Sequence, residues 1–337
     1  MTREFNVAVL GATGAVGEAI IEILAERLFP VAKLFPLGSE RSAGNTVSFK
    51  GKNIRVTDAA EFDWAQADLA LFSAGGSVSA HYAPLAAEAG CVVIDNTSHF
   101  RNDPDVPLVV PEVNASALKD FRQRNIIANP NCSTIQMVVA LKPIYDAVGI
   151  RRINVATYQS VSGAGKSGLL ELVGQTANIM NGQDVGCEKF PKQIAFNVLP
   201  HIDVFQENGY TREEMKMLWE TQKILGDPDI LVNATAVRVP VFYGHSEAIN
   251  IETVKKITAE EAKALLRVAP GIILMEADED YPTAVTEAAK QDGVFVGRVR
   301  EDISHPQGLN LWVVSDNIRK GAALNAVQIA ELLLEEL

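Results

Sequence analysis

Short apolar runs and helical stripes alternate along the first 130 residues. Phe5 to Leu10 is an apolar run of strand length, and Ala19 to Leu28 repeats its apolar positions at helical spacing. Val31 to Leu37, Leu69 to Ser73, Cys91 to Asp95 and Ile126-Ile127-Ala128 repeat the strand signal. A helix from Ser79 to Ala89 lies between two of them. Strands alternating with helices predict an open, mostly parallel sheet that takes ligands at the C-terminal ends of its strands. Cys91 lies inside one such strand and reads as core.

The pattern changes beyond residue 131. Val138, Val139, Leu141, Ile144 and Tyr145 share one helical face, Ile153 to Ser160 alternates as a strand, and Leu169 to Met180 is helical. Gly182 to Asn208 has weak periodicity and reads as a long excursion. Thr211 opens a helix with an acidic first turn, whose Glu213, Glu214 and Lys216 read locally as a solvated charged face. Leu231 to Val241, Gly293 to Arg300 and Leu309 to Ser315 are strand-like, and Ala322 to Leu334 is a helix whose apolar face needs a groove.

Composition narrows the class. A chain of 337 residues is long enough for two domains, and its net charge of −12 makes nucleic acid an improbable partner. No apolar run approaches a membrane span and the N-terminus lacks a signal-peptide pattern, so the expected location is the cytoplasm. The 3 cysteines lack CxxC spacing, which speaks against a disulfide framework and a structural zinc site; no metal is expected.

Three stretches carry candidate chemistry. Gly11-Ala-Thr13-Gly14-Ala15-Val16-Gly17 follows a strand and opens a helix, the context in which glycines let a pyrophosphate approach backbone N–H groups. The next strand ends in Gly38-Ser39-Glu40-Arg41-Ser42; arginine with hydroxyls suits a 2′-phosphate, so NADP is favoured over NAD. Asn129-Pro-Asn-Cys132-Ser-Thr134 places Cys132 on a strand-to-helix turn, where unpaired N–H groups and the helix dipole favour a thiolate. Most free cysteines are small buried hydrophobes. The polar neighbours here make Cys132 a nucleophile instead. His245, at a strand end beside Gly244, is a candidate general base. Arg238 in an apolar strand requires an anionic partner, either a buried carboxylate or a substrate. Arg101 is a candidate anion holder in a strand-end loop.

Together with Arg238-Val-Pro-Val-Phe-Tyr-Gly-His245-Ser-Glu247, these motifs resemble the aspartate-semialdehyde dehydrogenase family over essentially the full length. The resemblance implies an α/β fold: a Rossmann-type domain over 1–131 rejoined by 316–337, and an α+β catalytic and dimerisation domain over 132–315. It implies Cys132 as nucleophile, His245 as acid/base and Gln159 as the residue orienting the acyl intermediate. Arg238 would bind the substrate carboxylate, Glu214 would meet its ammonium, and Arg101 and Lys216 would bind inorganic phosphate. NADP would touch Gly11, Thr13, Gly14, Ala15, Val16, Arg41, Ser42, Ser162, Gly163 and Asn317. The implied reaction is the reversible reduction of L-aspartyl 4-phosphate to the semialdehyde by a homodimer, on the route to lysine, threonine, methionine and diaminopimelate. N-acetyl-glutamyl-phosphate reductase shares the chemistry, but Asn131 and Ser133 depart from its Asn-Pro-Gly-Cys-Tyr motif.

Overall fold

The computed structural model describes residues 3–277 and 279–336. They form two compact units, one running to Asn131 and resuming at Ala322, the other spanning Cys132–Gly321.

In the first unit the chain runs β1 (Phe5–Leu10), α1 (Ala15–Glu26), β2 (Val31–Gly38), β3 (Thr46–Phe49), β4 (Lys52–Arg55), β5 (Thr57–Asp58), β6 (Leu69–Phe72), α2 (Gly76–Glu88), β7 (Val92–Asp95), α3 (Pro111–Asn114) and β8 (Ile126–Ala128). Its main sheet has the order β5-β2-β1-β6-β7-β8, with every pairing parallel. β6, β7 and β8 are buried at every residue, as expected of parallel strands covered on both faces. The β3–β4 hairpin was not anticipated; its four-residue strands are too short for a two-residue period to stand out.

The second unit runs α4 (Cys132–Val148), β9 (Ile150–Gln159), α5 (Lys166–Met180), α6 (Arg212–Leu225), β10 (Leu231–Arg238), β11 (His245–Thr253), α7 (Ala259–Val268), β12 (Ile272–Leu274), β13 (Val294–Glu301) and β14 (Gly308–Ser315). Its sheet is mixed, in the order β10-β9-β11-β14-β13-β12. One expectation needs correction, and one helix was not anticipated. β10 stops at Arg238, before Pro240, and His245 therefore begins β11 instead of ending the preceding strand. α7 was also missed, although Thr258 and Glu261 form a capping box at its start.

The return to the first unit falls at Ala322, not at 316. Asp316 explains the difference: its carboxylate accepts the amides of Lys290, Ile318 and Arg319, tying 316–321 to the second unit. Beyond it comes α8 (Leu324–Leu333), whose apolar face joins Ile20, Ile23 and Leu24 of α1 in one core. Burial of each such side chain is worth roughly 1.5–3 kcal/mol. Asn325 of α8 also donates to Asn129 Oδ1 at 2.7 Å and to the Val109 carbonyl at 3.0 Å, so the returning helix pins the turn after β8.

Candidate active site

Sheet register in the second unit sets out a row of polar side chains. Arg238, Gln159, His245 and Ser315 are successive partners across β10, β9, β11 and β14. All four face inward and none is more than 6% exposed. α4 packs over β9, β11, β13 and β14, and its first residue is Cys132. The sulfur-bearing residue is half-buried and close enough to Arg238 to act on its charge. First-turn N–H groups of a helix have no partner within it, so this position favours a thiolate. By contrast Cys91 is fully buried, and burial pushes its thiol far up.

His245 is held on its Nδ1 side. The Ser160 amide donates to Nδ1 at 3.1 Å and Ser160 Oγ lies 3.1 Å from the same atom. Ser160 Oγ donates in turn to Asn317 Oδ1 at 3.0 Å, which also accepts the Gly244 amide at 2.9 Å. Tautomers are inferred from such partners. A neutral ring takes the Ser160 amide at Nδ1, and a protonated ring gives Nδ1–H to Ser160 Oγ. Nε2 has no hydrogen-bond partner among the described residues, and it looks toward Gly163, where an added Cβ would lie 3.5 Å away. Burial and the Arg238 charge push the imidazole down to about 3, so at neutral pH it is uncharged, as a base must be.

The cations carry their own partners. Lys216 Nζ pairs with Asp203 Oδ2 at 2.8 Å and with Glu213 Oε2 at 3.0 Å. Burial alone would depress the ammonium, but these carboxylates outweigh it and hold its pKa above the ordinary value. Burial lowers Arg238, opposed by Glu213 and Cys132, while its Nη1 donates to the Ser160 carbonyl at 2.8 Å. Gln159 Nε2 donates to Glu213 Oε1 and Thr157 Oγ1, both at 3.3 Å.

Here the structure corrects the assignment of Glu214. Its Oε2 accepts the Thr211 amide at 2.7 Å and its Oε1 accepts the Ala236 amide at 2.9 Å, so the side chain closes a capping box and ties α6 to β10. Glu213 is the acid beside Gln159 and Lys216. Nor is the start of α6 a solvated face, since Glu213 and Lys216 are 6% and 15% exposed in their side chains. The capping box was the available signal: Thr211-x-x-Glu214 reserves the fourth residue for the helix start.

In the first unit, Arg101 is buried, with Nε donating to the Asn129 carbonyl at 2.9 Å and Nη2 to the Asn96 carbonyl at 2.8 Å. The glycine turn fits a pyrophosphate. Gly11 has φ +87°, and a Cβ on Gly17 would fall 2.1 Å from the Gly11 carbonyl oxygen, so only glycine lets α1 close on the turn. Gly14 caps α1 without a side-chain hydrogen bond, leaving first-turn donors for an anion. Arg41 is exposed and Ser42 half-buried in a tight turn over Glu40–Ser42, just after β2. Ser162 and Gly163 sit in the turn that follows β9, and Asn317 Nδ2 donates to Ser162 Oγ at 3.0 Å.

Other residues of the second unit's site were not foreseen. Asp203 lies in the long excursion, whose weak periodicity gave no signal. At Gly321 an added Cβ would stand 2.8 Å from Cys132 Cβ, and nothing in Lys320-Gly321-Ala322 announces it. Glu247 lies one row below His245, fully buried, and burial raises its carboxyl well above the ordinary range.

A semialdehyde dehydrogenase NAD binding domain model matches residues 6–121 and a semialdehyde dehydrogenase dimerisation domain model matches 141–320. Aspartate-semialdehyde dehydrogenase of Shewanella sp. (strain DB6705) is 69% identical over 100% of this chain and 99% of that sequence. Aspartate-semialdehyde dehydrogenase 2 of Vibrio cholerae is 64% identical over 100% of this chain and 99% of its own. A solved structure of aspartate semialdehyde dehydrogenase II from Vibrio cholerae complexed with ASA superposes with a TM-score of 0.98, at 64% identity and 99% coverage of both chains. The Candida albicans enzyme, solved with NADP, gives 0.77 at 27% identity, covering 98% of each. With relatives this similar across its whole length, the chain belongs to the aspartate-semialdehyde dehydrogenase family.

Proposed function

We propose that this chain interconverts L-aspartate 4-semialdehyde and L-aspartyl 4-phosphate through a thioester on Cys132, with NADP as its dinucleotide. The observation that carries the reading is the buried row Arg238–Gln159–His245 under a helix that starts at Cys132. Arg238 takes the substrate carboxylate, and Glu213 takes its ammonium in place of Glu214. In the oxidative direction the Cys132 sulfur adds to the aldehyde carbon, giving a thiohemiacetal. His245 removes the hydroxyl proton at Nε2 as the C–H bond breaks. The bound dinucleotide supplies the hydride acceptor. Gln159, steadied by Thr157 and Glu213, orients the acyl group. A phosphate oxygen then attacks the thioester carbon, the C–S bond breaks, and the Cys132 thiolate is restored. Lys216 and Arg101 are assigned to phosphate.

NADP over NAD rests on Arg41 and Ser42 at the end of β2. A homodimer in the cytoplasm is the expected form. The dimerisation-domain match and the exposed Tyr158, Leu170, Val173, Phe242 and Tyr243 of the second unit support the dimer. The deciding assay follows NADPH absorbance with L-aspartate semialdehyde, NADP and inorganic phosphate, against reactions lacking phosphate or containing NAD. Turnover that requires phosphate and prefers NADP is expected; phosphate-independent turnover would remove the acyl-phosphate step.

A further inference from the structure

Lys216 meets an incoming phosphate with its charge already more than matched. Of the three N–H donors of its ammonium two already point at carboxylates, at 2.8 Å and 3.0 Å, which leaves one for a phosphate. One positive charge faces two negative ones, so an incoming phosphate dianion meets repulsion unless a carboxylate withdraws.

The two carboxylates differ in how firmly they are held. Glu213 is 6% exposed, and its second oxygen accepts Gln159 Nε2, so moving it would disturb the row beside Cys132. Asp203 is 31% exposed and belongs to a stretch without helix or strand. Its backbone has φ +68°, and among the described residues its other oxygen accepts only the amide of the next residue, Val204, at 2.9 Å. A rotation about its side-chain bonds releases Lys216 and leaves the row intact.

We propose that the Asp203 carboxylate holds, on Lys216 Nζ, the place of a phosphate oxygen, so that phosphate enters by displacing Asp203 and leaves as Asp203 returns. The inference rests on the assignment of phosphate to Lys216. Asp203 keeps the buried ammonium paired between turnovers and sets the affinity for phosphate. In the reductive direction it competes with the product phosphate for the same donor, which speeds release.

The test is Asp203→Gly, with Asp203→Asn as a second variant. Glycine and asparagine both tolerate a positive φ, so the backbone is kept. Two quantities are read: the apparent KM for inorganic phosphate in the oxidative direction, and the Kd of inorganic phosphate by calorimetric titration of the protein. Both are expected to fall about three- to tenfold, while the KM for the semialdehyde stays within about twofold. A phosphate KM and Kd unchanged or raised in Asp203→Gly would overturn the proposal, since Asp203 would then only steady Lys216; if that variant fails to fold, the same outcomes in Asp203→Asn decide. Lys216→Met, run beside them, separates the two levels. If it leaves the phosphate KM untouched, the underlying assignment of Lys216 is what fails.

Discussion

In the first unit the groups proposed for the dinucleotide are chiefly main-chain amides at a glycine turn, together with an exposed Arg41. In the second they are side chains sunk into one face of a sheet, none of the row more than 6% exposed. A backbone site needs only that side chains be absent, and solvent can satisfy its donors until a ligand comes. A buried side-chain site must satisfy its charges beforehand, because an unpaired buried ion costs several kcal/mol. Hence Lys216 arrives with Asp203 and Glu213, and Arg238 with Glu213 nearby. Hence also His245 rests neutral between Ser160 and Arg238.

Substitution should separate the two kinds of site. Cys132→Ala removes the proposed nucleophile and nothing of the glycine turn. Turnover should fall about ten-thousandfold, with the Kd for NADP, read by fluorescence titration, within about twofold of the parent. Residual activity above about one per cent would mean that the sulfur forms no covalent bond with the substrate.

Acid should find the buried row next. The folded pKa of His245, about 3, lies below the unfolded value near 6.5, so between these values the unfolded chain binds the extra proton. Stability therefore falls as pH falls through this window. From pH 7 to pH 4 the parent should lose about 3 kcal/mol more than His245→Gln, measured by urea unfolding at each pH. Glu247 titrates in both proteins and cancels from the comparison. Equal losses would show that His245 is protonated in the folded protein.

Gly321→Ala probes packing instead of charge. The added methyl group would stand 2.8 Å from Cys132 Cβ, so the start of α4 must move. A shift of about 1 Å at a reacting atom costs on the order of a hundredfold in kcat. NADP affinity should be little changed, and a kcat within threefold of the parent would show that the site absorbs the methyl group.

Gly321 also marks where sequence reading stops. The parallel sheet was legible because its inner strands are mostly apolar runs closed by a turn, and the glycine turn because its motif is local; the two-residue edge strand β5, Thr57–Asp58, carries no such run. Cys132 and Arg238 were legible by being out of place, a polar-flanked thiol and a charge within an apolar strand. Asp203, Glu213 and Gly321 were not, since their roles come from contacts across the fold: Asp203 with Lys216 thirteen residues on, Gly321 with Cys132 from the far end of the second unit. Glu214 shows the reverse error. Thr211 marks the helix start in the sequence, and the acid three residues on, Glu214, belongs to that cap, which leaves Glu213 as the acid beside Lys216.

Arg41 should give the smallest effect and the clearest test of the exposed side of the comparison. It lies on the surface in a short turn, so its loss leaves no buried partner uncompensated. A solvated guanidinium–phosphate contact is worth about 1–2 kcal/mol, so Arg41→Ala should raise the KM for NADP about tenfold. The KM for NAD should be unchanged, because NAD has no 2′-phosphate to lose. If both rise together, Arg41 acts on the fold of the turn or on the pyrophosphate, and the preference for NADP must come from elsewhere. If neither moves, Arg41 has no part in holding NADP, and any preference for it rests on Ser42 and the main-chain amides.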